Sequence, residues 1–99
     1  MKYNIKLSHD ADRDYLRVKH YLSQFYENTF NKFFVKFEKL KTMLTEHPRA
    51  YPVYEYLPEY RRAVLDNYIV LYKLDEQARM VEIHRIFPGS LNFEEYIKQ

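Results

Sequence analysis

Phe30-Asn31-Lys32-Phe33-Phe34-Val35-Lys36-Phe37-Glu38-Lys39-Leu40-Lys41-Thr42-Met43-Leu44 is the stretch on which the fold turns. Phe30, Phe33, Phe34, Phe37, Leu40 and Leu44 follow the i, i+3, i+4, i+7 spacing of one helical face, and Lys32, Lys36 and Lys39 fall on another. His47-Pro48 ends the helix, because the residue before a proline is pushed out of the α region. An aromatic stripe this wide cannot be left in water, so a flat apolar surface elsewhere in the chain must cover it.

Upstream, residues 2–7 alternate. Tyr3, Ile5 and Leu7 share one face and Lys2, Asn4 and Lys6 the other, as in a half-buried strand. Ser8 stands where a helix N-cap belongs. Asp10 and Asp12 follow in the first turn, where they complement the helix dipole. Ala11, Tyr15, Val18, Leu22 and Phe25 form the apolar stripe of a first helix. Tyr26-Glu27-Asn28 reads as a short break, with Asn28 able to cap the second helix, and a break this short makes an antiparallel helical hairpin.

Downstream lies the flat surface. Pro48, Pro52 and Pro58 punctuate a loop that carries Tyr51, Tyr54, Tyr56 and Tyr60. Residues 61–65 read as a strand, Asp66-Asn67 as a hairpin turn and residues 68–74 as the next strand. Residues 75–78 read as a turn, residues 79–87 as the last strand, Pro88-Gly89 as its stop and residues 92–99 as a turn of helix. Asp and Asn serve in the first turn because they tolerate positive φ best among non-glycine residues. The expected fold is α+β with the order β-α-α-β-β-β. A helical hairpin packs on one face of a small antiparallel sheet, which the first strand joins, in one domain spanning residues 1–99.

Composition narrows the function. The 99 residues include eleven tyrosines, no cysteine and one glycine. Without cysteine there is no disulfide scaffold, thiolate zinc site, iron–sulfur cluster or thiol catalysis. With Gly89 alone there is no glycine-rich phosphate loop, and nucleotide chemistry through such motifs is excluded. His9, His20 and His47 are scattered without metal-site spacing, so no metal and no cofactor is expected. No apolar run reaches the roughly 18 residues of a membrane helix and no signal peptide is legible, which makes a cytoplasmic protein without a membrane partner the expectation. The net charge is +2, divided as +4 over residues 1–50 and −2 over residues 51–99.

Order and residues together resemble a family. Tyr3-Asn4-Ile5-Lys6-Leu7-Ser8-His9-Asp10-Ala11 is similar to the opening strand and helix start of the RelE/ParE toxins of bacterial type II toxin–antitoxin systems, also called plasmid stabilisation proteins. Tyr21-Leu22 and Leu44-Thr45-Glu46-His47-Pro48 resemble the ends of their two helices. Tyr60-Arg61-Arg62 with Asp66-Asn67-Tyr68-Ile69-Val70-Leu71-Tyr72-Lys73 resembles their central hairpin, and residues 81–87 resemble their last strand. The resemblance implies a growth-inhibiting toxin neutralised by a cognate antitoxin encoded beside it, with operator DNA reached only through that antitoxin. It also implies one of two mechanisms: ParE-like binding to DNA gyrase without cleavage, or RelE-like cleavage of mRNA in the ribosome.

RNA cleavage needs a group to take the 2′-hydroxyl proton, a cation for the phosphorane and an acid for the leaving oxygen. RelE-like enzymes carry an arginine directly after the first tyrosine of the hairpin strand; this chain has Ile69 there. They also carry basic residues after the last strand, where this chain reads Phe87-Pro88-Gly89-Ser90-Leu91-Asn92. Losing one transition-state contact costs on the order of 100-fold in rate, so the ParE-like mechanism is preferred and the reading leans away from an enzyme, leaving open an endoribonuclease. The alternatives are a divergent endoribonuclease and a non-toxic module that only binds antitoxin. Catalytic candidates are Arg61, Arg62, His84, Arg85 and Tyr96. Within the pairs Arg61/Arg62 and His84/Arg85 the two side chains face opposite sides of a strand, so one of each lines a given face. Target or antitoxin contacts are Tyr54, Tyr56, Tyr60, Arg61, Arg62 and the lysines Lys32, Lys36 and Lys39, since loop tyrosines favour interfaces and a lysine face suits an acidic partner. The corresponding structural roles are sheet ion pairing for an arginine, packing for His84 and a solvated helix face for the lysines. Tyr15, Tyr21, Tyr68 and Tyr72 occupy core-like positions.

Overall fold

The computed structural model describes residues 2–26 and 28–91. Its elements run β1 (Asn4–Leu7), α1 (His9–Leu22), α2 (Thr29–Glu46), β2 (Arg61–Leu65), β3 (Tyr68–Asp75) and β4 (Met80–Pro88). The four strands form one sheet in the order β1-β4-β3-β2. The β-α-α-β-β-β order and the helical layer are as expected. The sheet differs in one respect: β2, β3 and β4 are an antiparallel meander, but β1 pairs with β4 in parallel, so the sheet is mixed. A parallel partner requires a long crossover. The connection from β1 to β4 contains both helices, which therefore lie across one face.

Helix limits follow local chemistry. The Ser8 hydroxyl accepts from the N–H of Ala11 and caps α1. Asn28 occupies the N-cap position of α2 but makes no side-chain cap bond. Phe25 lies beyond the end of α1 and is exposed, as is Tyr21, so the buried stripe of α1 is shorter than its apolar spacing implies. The residues 92–99 and Tyr96 lie outside the described residues.

The core between helices and sheet contains Phe33, Phe37, Leu40 and Leu44 of α2, Ala11 and Val18 of α1, and Ala63, Leu65, Val70, Tyr72, Val81, Ile83 and Ile86 of the strands. Tyr15 links the two helices, its ring 5.1 Å from Phe37 and 6.0 Å from Phe30. Lys19, one turn later in α1, sits over the Phe30 ring at 5.5 Å. Advancing along α1 while receding along α2 is the sign of an antiparallel hairpin. The opposite sheet face carries a second apolar cluster of Tyr54, Tyr60, Ile69, Leu71 and Phe87, with Leu57 and Leu91 against it. Both sheet faces are thus covered over β3, which explains its nearly unbroken apolar run.

A bulge sets the facing of β4. Leu71 pairs with Arg85 but Tyr72 with Ile83, which leaves His84 as the extra residue. Ile83 and Ile86, three residues apart, consequently both reach the helical core. The β2–β3 turn is the expected one, with Asp66 at φ 53°. The β3–β4 turn is shifted by a residue: Arg79 lies in it at φ 50°, and Asp75 ties it by accepting from the N–H of Ala78.

Tyr72 is fully buried and its hydroxyl donates to the Pro48 carbonyl at 2.8 Å. Burial pushes its phenol up from the ordinary tyrosine value, against the opposing pull of the Arg61 guanidinium, and burial raises Tyr15 and Tyr68 likewise. The folded state holds these phenols neutral, whereas the unfolded chain ionises them near pH ~10. Their contribution is complete below that pH and is lost as pH rises through the folded values. The melting temperature is expected to fall steeply above about pH 10, and less steeply in Tyr72→Phe, as read from thermal melts across the alkaline range.

Candidate functional site

The strand β2 sorts its residues by side. Ala63 and Leu65 point to the helices and are buried, while Arg62 and Val64 are exposed on the other side. Arg62 and Val64 form one wall of a groove of about 790 Å³. Arg17, Tyr21 and Leu22 at the C-terminal end of α1 form the opposite wall, and Tyr68, Ile69 and residues 88–91 close its end. Gly89 fits here because its N–H donates to the Asn67 carbonyl at 2.7 Å, where an added Cβ would lie only 3.3 Å from that same oxygen.

Arg61 faces away from this groove. Its guanidinium donates to the Tyr51 carbonyl at 2.8 Å and holds the proline-containing loop against the sheet. The arginine pair therefore divides into a loop clasp, Arg61, and a groove cation, Arg62.

The pair on β4 divides too. Past Leu7 the parallel partner of β4 runs out, and the start of α1 replaces it. The Ser8 N–H donates to the Ile83 carbonyl, and its hydroxyl donates to the His84 carbonyl at 2.8 Å. The Asp14 carboxylate then accepts from the Ile86 N–H at 2.9 Å and from Arg85 Nε at 2.8 Å and Nη2 at 3.3 Å. Asp14 is only 2 % exposed and the Arg85 side chain 15 %. Arg85 is accordingly a structural cation in a buried fork–fork pair. Sequence reasoning passed over Asp14, although there was a signal: it lies on the apolar stripe of α1, three residues after Ala11 and four before Val18, where an uncompensated acid would not be tolerated.

His84 stacks on Tyr60 with ring centroids 4.8 Å apart. Glu82 lies beside it, flanked across the strands by Lys6 at 3.5 Å and Lys73 at 4.0 Å. This is a cross-strand charge ladder on the outer face, and none of its members lines the groove. The tyrosine loop corrects an expectation. Tyr54 and Tyr60 are buried in the second cluster, because that sheet face needs an apolar cover, and only Tyr56 is offered to solvent, at 67 %. On α2, Lys32, Lys36 and Lys39 are exposed, and Lys36 is bound to Asp66 of the hairpin turn at 2.7 Å. Among the described residues no group of three or more His, Asp or Glu could hold a metal ion, and no helix is long and apolar enough to cross a membrane.

Ile69, at the place of the RelE-like arginine, is buried with Leu71, Phe87 and Leu91. Around Ile69 the outer face is an apolar floor that includes Leu71 and Phe87.

A sequence model described as the ParE toxin of type II toxin–antitoxin systems (parDE) matches residues 5–93. The chain belongs to this toxin family. A search of curated proteins gives no significant match. Among solved structures, the chromosomal ParDE toxin–antitoxin system from P. aeruginosa is similar with a TM-score of 0.72 at 16% identity, covering 88% of this chain and 96% of that one. The RelBE2 toxin–antitoxin complex of Mycobacterium tuberculosis is similar with a TM-score of 0.58 at 21% identity, covering 89% and 99%. The archaeal RelE–RelB complex from Pyrococcus horikoshii OT3 gives 0.62 at 16% identity, covering 93% and 100%. Structures of both ParE and RelE name share the fold, so the fold of this toxin does not choose between the two mechanisms.

Proposed function

We propose that this toxin inhibits DNA gyrase by binding it, without cleaving RNA, and that a cognate antitoxin neutralises it. The observation that carries the reading is the burial of Ile69 in an apolar cluster at the position where the RNA-cleaving branch needs a cation. Other cations are committed elsewhere: Arg61 to loop carbonyls and Arg85 to Asp14. A phosphorane left without such groups forfeits the electrostatic stabilisation that cleavage depends on. The family match names ParE, and the neighbours from P. aeruginosa, M. tuberculosis and P. horikoshii are toxin–antitoxin assemblies, which supports an antitoxin partner for this chain. In the groove, Arg62 and Arg17 supply positive charge, and Val64, Tyr21 and Leu22 the apolar contact expected of a protein-binding surface.

The purified toxin is expected to inhibit supercoiling by gyrase and to leave ribosome-bound mRNA intact. Arg62→Glu is expected to weaken that inhibition about ten-fold or more, since reversing an interface charge replaces attraction with repulsion. Cleavage of mRNA at ribosomal A-site codons, with gyrase unaffected, would overturn the proposal.

A further inference from the structure

Part of the groove's charge is set from outside it. Arg62, Val64 and Asp66 follow the two-residue alternation of a strand, and all three line the groove. Lys36 of α2 does not line it. The Lys36 ammonium nevertheless donates to Asp66 Oδ1 at 2.7 Å, reaching the turn after β2 from the helical layer. Strand rise sets the Cα atoms of Arg62 and Asp66 no more than about 13 Å apart, a span that an arginine and an aspartate leaning toward each other can close. Among the described residues, no carboxylate is paired with Arg62. The acid that shares its wall of the groove is held by Lys36 instead. As a stability element this contact is slight, since the two side chains are 54 % and 43 % exposed and exposed ion pairs contribute little. Its consequence lies in where it leaves charge.

We propose that Lys36 is a positioning residue for the groove. By holding Asp66 it leaves the Arg62 guanidinium without an internal counter-ion and open to a carboxylate of the bound partner. It also neutralises an acid that would repel that carboxylate. Without Lys36, Asp66 competes for Arg62. The partner segment that the groove takes is accordingly acidic as well as apolar. That role rests on the groove being the gyrase-binding surface.

Inhibition of gyrase supercoiling by the full chain and its variants tests the role. K36M is expected to weaken inhibition about three- to ten-fold, K36R to retain it, and K36M/D66N to recover it to within about two-fold. Asparagine suits the positive φ of residue 66, and thermal melts establish that each variant is folded. A contact that only braced the turn would behave differently: D66N would be as weak as K36M and the double variant no better. That pattern overturns the proposal. So does an equal loss in K41M, which removes a charge of α2 that pairs with Glu38 and not with Asp66. The Arg62 side chain gives a second reading that needs no gyrase. Its Nε–H signal in isotope-labelled protein is expected to move in K36M and to return in K36M/D66N, and a signal unchanged in K36M overturns the proposal. A wild-type chain that leaves gyrase unaffected sinks the proposed function, while the Arg62 signal still decides whether Lys36 holds Asp66 away from Arg62.

Discussion

Asp14→Ala is expected to destabilise the protein by about 3–5 kcal/mol, the usual cost of removing one partner of a buried ion pair. The carboxylate accepts three hydrogen bonds, from Arg85 Nε, Arg85 Nη2 and the Ile86 N–H. Alanine removes the carboxylate acceptor of a largely buried guanidinium and leaves a strand N–H without its acceptor, at a site only 2 % exposed. A domain of this size has about 5–15 kcal/mol in total, so the melting temperature should drop by roughly 15–30 °C. Arg85→Ala should cost less, because Asp14 keeps the Ile86 N–H and has Arg17 at 3.9 Å. In an Asp14→Ala background, Arg85→Ala should cost little more. A double-mutant cycle by urea denaturation reads this coupling. Additive costs would mean that Asp14 and Arg85 act independently and that the strand edge alone needs the carboxylate.

Phe37→Ala should be of similar size, about 3–5 kcal/mol, through a different mechanism. Phe37 is 2 % exposed at the centre of the helical layer, its ring 5.1 Å from Tyr15 and 5.9 Å from Phe33. The substitution removes the transfer free energy of an aromatic ring and leaves a cavity that two neighbouring rings cannot fill without leaving their rotamers. Phe37→Leu retains most of the apolar contact and should cost markedly less. Urea midpoints compare the two, and equal losses would show that the helical layer closes up around either side chain. Phe37 does not line the groove, so both of its substitutions should lower the folded fraction without changing the specific activity of what remains folded.

The helices and strands were legible because each is announced by local periodicity and punctuation. Ser8 caps α1 and Pro48 follows the end of α2 because these are properties of a few adjacent residues. The apolar runs of β3 and β4 were legible for the same reason. Which tyrosines are buried was not. Tyr54 and Tyr60 sit in a polar, proline-rich stretch that reads as loop, and they are buried only because the outer face of β3 requires a cover. Tyr21 reads as core by spacing, yet is exposed, because its side of α1 forms a wall of the open groove.

By itself the sequence determined the order β-α-α-β-β-β, the absence of thiol and glycine-loop chemistry and the family resemblance, since each depends on residue identity and near-neighbour spacing. It also determined that Arg61 and Arg62 must part company, because strand geometry alone turns adjacent side chains to opposite sides. Which of them meets the groove was decided by tertiary structure: the carbonyls of the 49–51 segment, drawn in by sheet burial, take Arg61 and leave Arg62 outside. The parallel seat of β1 beside β4 and the Asp14–Arg85 pair belong to the same class. The latter joins residues 71 positions apart, a separation at which pairing depends on how the layers stack and leaves no periodic trace in the chain.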